Sequence, residues 1–191
     1  VASHDGGADS AQLFEAGGYR FLHIGLQMAP SDASLKWAET VIHAHPGLPT
    51  LITTHDFIDK TGQRRAHPVV DINALDPFDN SAQGVWDKLI SRNPQIFMVL
   101  SGHNYTRPVD GVSNGENLRI DLNDAGHPVY QLIQDYQGNT VGPDGTAGSA
   151  NGGAGWLRFM AFDTDTRKIR FYTYSTLLGR YAGRDGEATF G

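Results

Sequence analysis

Two short apolar runs, TLITT at residues 50–54 and IFMVL at residues 96–100, constrain the fold of this chain more than any other feature. Neither alternates with polar residues, so each reads as a strand buried on both faces, and such strands belong to parallel sheets covered by helices. The neighbouring sequence supplies the covers. Ser31 or Asp32 caps a helix whose positions Leu35, Ala38, Val41, Ile42 and His45 form one buried stripe, and Pro46-Gly47 stops it. Residues 82–92 predict a second helix with Val85, Trp86, Leu89 and Ile90 inward and Pro94 beyond its end. Before the first helix, residues 19–26 (YRFLHIGL) follow Gly17-Gly18 and read as a further strand.

Strand, helix, strand, helix, strand in that order implies parallel neighbours joined by right-handed crossovers. Ligands of open α/β sheets bind beyond the carboxyl ends of the strands. His55 directly follows TLITT and His103 follows the run ending at Leu100, so one sheet edge receives two imidazoles. A neutral imidazole presents one nitrogen to a metal or substrate while the other is fixed by a neighbour. Gly102 suits a tight, positive-φ turn that aims His103 at that edge. The other histidines carry less. His4, His43, His67 and His127 lie in turns or on a polar helix face and read as solvated; His23 and His45 read as hydrogen-bonded core or boundary groups.

The second half changes character. Residues 118–122, 129–133, 157–163 and 169–174 are alternating or aromatic-rich runs that predict antiparallel strands, with Asp163-Thr164-Asp165-Thr166 as a hairpin turn. Residues 56–80 read as a long loop, and the glycine-rich residues 138–155 as a surface or ligand-hugging one. The 191 residues suffice for one domain, taken as residues 1–191, that buries roughly 70% of its unfolded surface. Its fold class is therefore α/β, shading into α+β.

Charge and composition remove whole classes of function. A formal net charge of -6, with no basic cluster larger than Arg64-Arg65, argues against nucleic-acid binding. No apolar stretch approaches the roughly 20 residues of a membrane span. Zero cysteines exclude disulfides and thiolate chemistry. Ser101 lacks the glycine two residues before it that a nucleophile elbow needs, which excludes that serine hydrolase arrangement. The start, Val1-Ala2-Ser3-His4, has no initiator Met and no leader pattern, as expected of a mature or truncated chain.

LPTLITTHDF, followed by FMVLSGHNY, resembles the carboxy-terminal half of the calcineurin-like metallophosphoesterase superfamily, which includes the purple acid phosphatases. FLHIGLQMAPSDASLKWAETVIHAHPGLPTLITTH upstream, and VYQLIQDYQ, GGAGWLRFMAFD and FYTYS downstream, resemble a bacterial branch whose members are often exported. The resemblance implies mixed β-sheets flanked by helices in a sandwich. It also implies phosphoester hydrolysis at a two-metal centre of Fe, Zn or Mn, which clamps the phosphate and activates the attacking water. On it, His55 and His103 are ligands of one metal, Asn104 and Tyr105 are candidate metal or substrate contacts, and Asp56 is a candidate acceptor behind an imidazole. No catalytic residue is assigned.

Two departures qualify the resemblance. Tyr105 stands where the family's Gly-His-x-His loop has its second His, and a phenolate suits ferric iron better than zinc or magnesium. The family's amino-terminal Asp-x-His and Gly-Asp-x-x-Asp blocks are absent. For its Gly-Asn-His-Asp/Glu block only His4-Asp5 offers a counterpart, in a segment that reads as a frayed terminus. The chain thus reads as the latter half of an enzyme, incomplete and inactive alone, and expected to dimerise or swap elements through its uncovered sheet. The alternative is a non-catalytic binding module on the same scaffold.

Overall fold

The computed structural model describes residues 2–64, 79–104, 116–136, 155–181 and 186–189, the last segment as backbone. Strands β1 (Ala2–His4), β2 (Asp9–Ala16), β3 (Tyr19–Gly25), β4 (Thr50–Thr53), β5 (Ile96–Ser101), β6 (Glu116–Leu122) and β7 (Pro128–Gln134) build a seven-stranded sheet in the order β1-β2-β3-β4-β5-β7-β6. Strands β8 (Trp156–Asp163), β9 (Lys168–Ser175), β10 (Arg180–Tyr181) and β11 (Gly186–Thr189) build a second sheet. With helix α1 (Asp32–Ala44) and the short α2 (Ala82–Val85), this is a mixed α/β protein made mostly of sheet. The chain divides into two compact units, one of residues 1–104 with 117–133, the other of residues 105–116 with 134–191.

In the first unit β3, β4, β5 and β7 run parallel, while β1 and β2 add antiparallel strands beside β3. Helix α1 begins as expected: the Ser31 hydroxyl accepts the Ser34 N–H at 3.2 Å. Its stripe of Leu35, Ala38, Val41 and Ile42 is buried. That stripe packs with Val85, Trp86, Leu89 and Ile90 onto Leu22, Ile24, Ile52, Ile96, Val99, Val129 and Ile133 of the sheet, forming one core. Each such side chain contributes about 1.5–3 kcal/mol of transfer free energy, which fixes the strands and leaves their carboxyl-end loops to carry chemistry. No helix among the described residues is long and apolar enough to cross a membrane.

Four expectations need correction. Residues 2–16 are not frayed, because β2 and β3 form a hairpin over Gly17-Gly18 and β1 pairs along β2. Both turn glycines have positive φ, as a two-residue hairpin connection requires. Residues 129–133 are not in a purely antiparallel array: β7 joins β6 through a five-residue loop too short for a parallel crossover, yet its other edge pairs parallel with β5. The second helix is not one regular α-helix, since Trp86–Ile90 is a π-helical turn that still delivers Trp86, Leu89 and Ile90 inward. Finally, residues 57–64 are no open loop. Phe57 and Ile58 are buried, Ile58 bridges Arg64, and the Arg64 guanidinium lies 4.1 Å over the Trp86 ring while donating to Asp121 at 2.6 Å and Gln131 at 2.5 Å.

In the second unit β8 and β9 form the expected hairpin, with Asp163 opposite Lys168 and the Asp163 carboxylate accepting the Thr166 N–H at 3.0 Å. The backbone bond from Thr166 and the Arg170 guanidinium hold the Asp163 carboxyl down at about 2. Elsewhere in this unit the buried Tyr136 hydroxyl donates to Glu116 at 2.5 Å, and Arg158 pairs with the same carboxylate at 2.7 Å. Burial, reinforced by the Glu116 charge, pushes the Tyr136 phenol up. Most of the glycine-rich segment 138–155 lies outside the described residues.

Candidate functional site

The loops leaving β4 and β5 are tied to each other before they carry any functional group. The Thr54 N–H donates to the Leu100 carbonyl at 3.0 Å, and the Gly102 N–H donates to the His55 carbonyl at 3.1 Å. The Thr54 hydroxyl also donates to the Gln27 carbonyl at 3.2 Å, which fastens the loop after β3 to the same edge. These bonds continue the parallel ladder past the strand ends. They hold His55 and His103 close although 48 positions separate them.

His55 Nε2 and His103 Nδ1 lie 2.8 Å apart, with ring centroids separated by 4.5 Å and planes inclined at 48°. Two imidazole lone pairs cannot approach that closely without a proton or a cation between them. Two nitrogens bound at right angles to one ion, with bonds of about 2.1 Å, would stand about 3.0 Å apart. The pair is joined by one N–H···N hydrogen bond, and its spacing is also near that of two ligands on one ion. Among the described residues no group of three or more His, Asp or Glu side chains gathers to complete a coordination shell.

The backbone at His103 is strained. Its φ is 68°, and the Asn104 N–H donates back to the Gly102 carbonyl at 2.8 Å, closing a γ-turn with a left-handed central residue. The sequence suggested that Gly102 would take the positive φ, but the turn places it on His103 itself. Such strain persists only where the surroundings over-determine it, and it concentrates at functional sites. Here the determinant is Asn104, whose buried amide donates to the Asp56 carboxylate at 2.5 Å. Asp56, expected behind an imidazole, thus clamps the residue after His103. Tyr105 lies outside the described residues.

A third imidazole reaches this edge, one that the sequence offered only as a counterpart within a segment read as frayed. Strand β1 runs parallel to β3 because each is antiparallel to β2, so His4 ends its strand on the same edge as His55 and His103. It is not a solvated turn residue. His4 Nδ1 meets the fully buried Asp9 carboxylate at 3.0 Å, and its ring stacks on Trp37 with centroids 5.7 Å apart. The available signal was Gly17-Gly18, which marks a hairpin and thereby places a strand at residues 9–16. His23 and His45 behave as expected, bonded to the Thr53 hydroxyl at 2.9 Å and the Val41 carbonyl at 2.9 Å. Burial lowers the His23 pKa.

Comparison with known proteins adds a distant relative. The chain is 24% identical over 168 residues to the uncharacterized protein YvnB of Bacillus subtilis (strain 168), covering 85% of this chain and 11% of that protein. No protein-family model matches, and no solved structure does. The chain thus spans about a ninth of the length of this curated relative, whose name assigns no activity.

Proposed function

We propose that this chain carries part of the metal centre of a phosphoester hydrolase, the His55–His103 pair being two ligands of one ion. The observation that carries the reading is the 2.8 Å convergence of two imidazole nitrogens at the carboxyl ends of adjacent parallel strands. The strained turn at His103 favours it, because a side chain with no task there would leave the position to glycine. The metallophosphoesterase sandwich, the Fe, Zn or Mn ions and self-association through exposed strand edges belong to the same reading. When bound, such ions polarise a phosphoryl oxygen and lower the pKa of water. The chain's own residues do the positioning. Asn104, bonded to Asp56, fixes the turn that aims His103, and the Gly102 N–H bond to the His55 carbonyl keeps the two loops in register.

A specific observation favours a second reading, a binding module without chemistry: the pair gathers no third protein donor among the described residues. Metal content separates the two. Mass spectrometry on the 191-residue chain and on the full-length gene product, each with its His55→Ala, His103→Ala variant, should show stoichiometric Fe, Zn or Mn lost in the variant. The full-length product should then release phosphate from an aryl phosphate. Unchanged turnover in both single variants would defeat the hydrolase, and absence of metal from every sample would favour the module.

A further inference from the structure

The edge that carries His55 and His103 extends across the sheet to a second polar group built around His4. Asp9 is fully buried, and its two carboxylate oxygens are both engaged: Oδ2 by His4 Nδ1 at 3.0 Å, Oδ1 by the Gln27 backbone N–H at 3.0 Å. A carboxylate acceptor at Nδ1 selects the tautomer with the proton on that nitrogen, which turns the lone pair of Nε2 outward. The side chain of His4 is 31% exposed, so this nitrogen can reach a ligand. Stacking on Trp37 keeps the ring from turning away. The segment that follows is held in an unusual conformation, with φ of 50° at Asp5, 63° at Gly6 and 100° at Gly7. It brings the exposed Asp5 carboxylate within 3.4 Å of the Gln27 side-chain amide, which also donates to the buried Ser34 hydroxyl at 2.9 Å.

Distance decides what this group can do. Strands β1 and β4 are separated by three strand spacings, or about 14 Å at about 4.8 Å each. Two side chains cover only part of that gap, so His4 meets a ligand held against His55 and His103 at a point some way from the pair. It can touch the far end of a substrate about a sugar ring longer than phosphate. Charge decides what that end is. Asp5 and Asp9 flank the imidazole, so a second anionic group is disfavoured. Two outward acceptors, Nε2 of His4 and the Asp5 carboxylate, match hydroxyl donors.

We propose that His4, aligned by Asp9 and flanked by Asp5, forms a subsite for the hydroxyl groups of a sugar or polyol, making the substrate a polyol phosphate rather than a bare or aromatic phosphate ester. The assignment to a substrate rests on the hydrolase reading above; the hydroxyl subsite itself does not. His4 is a specificity residue in this scheme.

The test titrates the 191-residue chain, with Zn²⁺ present, with glucose, inorganic phosphate and glucose 6-phosphate. Histidine side-chain resonances are followed by NMR and affinities by calorimetry. Glucose should move the His4 signal alone, phosphate the His55 and His103 signals alone, and glucose 6-phosphate all three. Glucose 6-phosphate should bind about tenfold more tightly than phosphate, the scale of one or two hydrogen bonds. That advantage should vanish in His4→Gln and shrink in Asp9→Asn, where the imidazole remains but its alignment is lost, while phosphate affinity stays unchanged in both. A His4 signal unmoved by either sugar, or an undiminished advantage in His4→Gln, overturns the subsite. Phosphate that fails to move His55 and His103 counts against the hydrolase, whereas a glucose response at His4 in that same sample still upholds the subsite.

Discussion

Replacing His103 by Gly and, separately, by Ala isolates the strain stored at this site. Both substitutions delete the imidazole and its contact to His55, so whatever that contact is worth cancels between them. They differ in how each residue tolerates a φ of 68°. A non-glycine residue pays about 1–2 kcal/mol in the left-handed region, whereas Gly loses about 0.5–1 kcal/mol more backbone entropy on folding than Ala. The difference leaves the Gly variant more stable than the Ala variant by about 0.5–1 kcal/mol. In a chain of this size that amounts to about 1–3 °C in Tm. Urea unfolding at pH 7 with matched slopes, alongside thermal scans, resolves such a gap. On the proposed metal reading neither variant retains an ion, so the stability gap between them is read without any contribution from one. An Ala variant as stable as the Gly variant, or more so, would refute the claim that His103 is held against a backbone preference.

Two further outcomes follow from the packing and the charge network. Burial opposes ionisation of Asp121, but hydrogen bonds from Arg119, Gln131 and Arg64 outweigh it and hold the carboxyl well below the usual carboxylate range. A depressed folded-state pKa gives stability that is present above the unfolded value of about 3.9 and is lost as pH falls through the folded value; the Tm deficit of Asp121→Asn should be full at pH 6 and shrink steadily below pH 4, and a pH-independent deficit would contradict it. Leu89, fully buried between the helical layer and the sheet, should lose about 2–5 kcal/mol on truncation to Ala; Leu122, 64% exposed, should change by under about 0.5 kcal/mol, and equal effects in urea titrations would mean that the core is misplaced.

What could be read from the sequence was whatever depends on local periodicity and punctuation. The α1 stripe, its Ser31 cap and the Pro46-Gly47 stop are all short-range signals, and the structure follows them except at His45, which caps the helix half-buried instead of closing the stripe. TLITT and IFMVL marked β4 and β5, but burial on both faces is incomplete: Ile52, Ile96, Met98 and Val99 are buried, whereas Leu51, Thr53, Phe97 and Leu100 are half-buried. The partner of β7 was not legible. Alternation says which side of a strand faces the core, and nothing about the direction of the strand beside it, so a hairpin strand that also pairs parallel with β5 looks like any other. The π turn at Trp86–Ile90 was hidden for a related reason, since Trp86, Leu89 and Ile90 suit either helical pitch. His55 and His103 were found because each sits where a buried strand ends. His4 was read as solvated or part of a frayed segment because its partner, Asp9, becomes meaningful only once β1 and β2 are known to pair.

The site and the core of the first unit use opposite parts of the same strands, and this is why its chemistry can be probed without unfolding it. Leu22, Ile24, Ile52 and Val99 point into the layer beneath α1 and carry the burial energy. His4 at the end of β1, and His55 and His103 just past β4 and β5, are partly or largely exposed and add little to that energy. The connection between them is polar and passes through backbone: Asp9 to the Gln27 N–H, the Gln27 carbonyl to the Thr54 hydroxyl, and then to His55 as the next residue. A rigid sheet with such links holds the relative positions of its edge groups to within small displacements, as preorganised recognition requires. Removing an imidazole at the edge leaves the sheet in place, whereas removing Asp9 strips a buried partner from both His4 and the Gln27 backbone. The Asp9 substitution therefore combines a structural cost with a functional one, and His4→Gln, which leaves Asp9 and the Gln27 bond intact, is the cleaner measure of what the edge recognises.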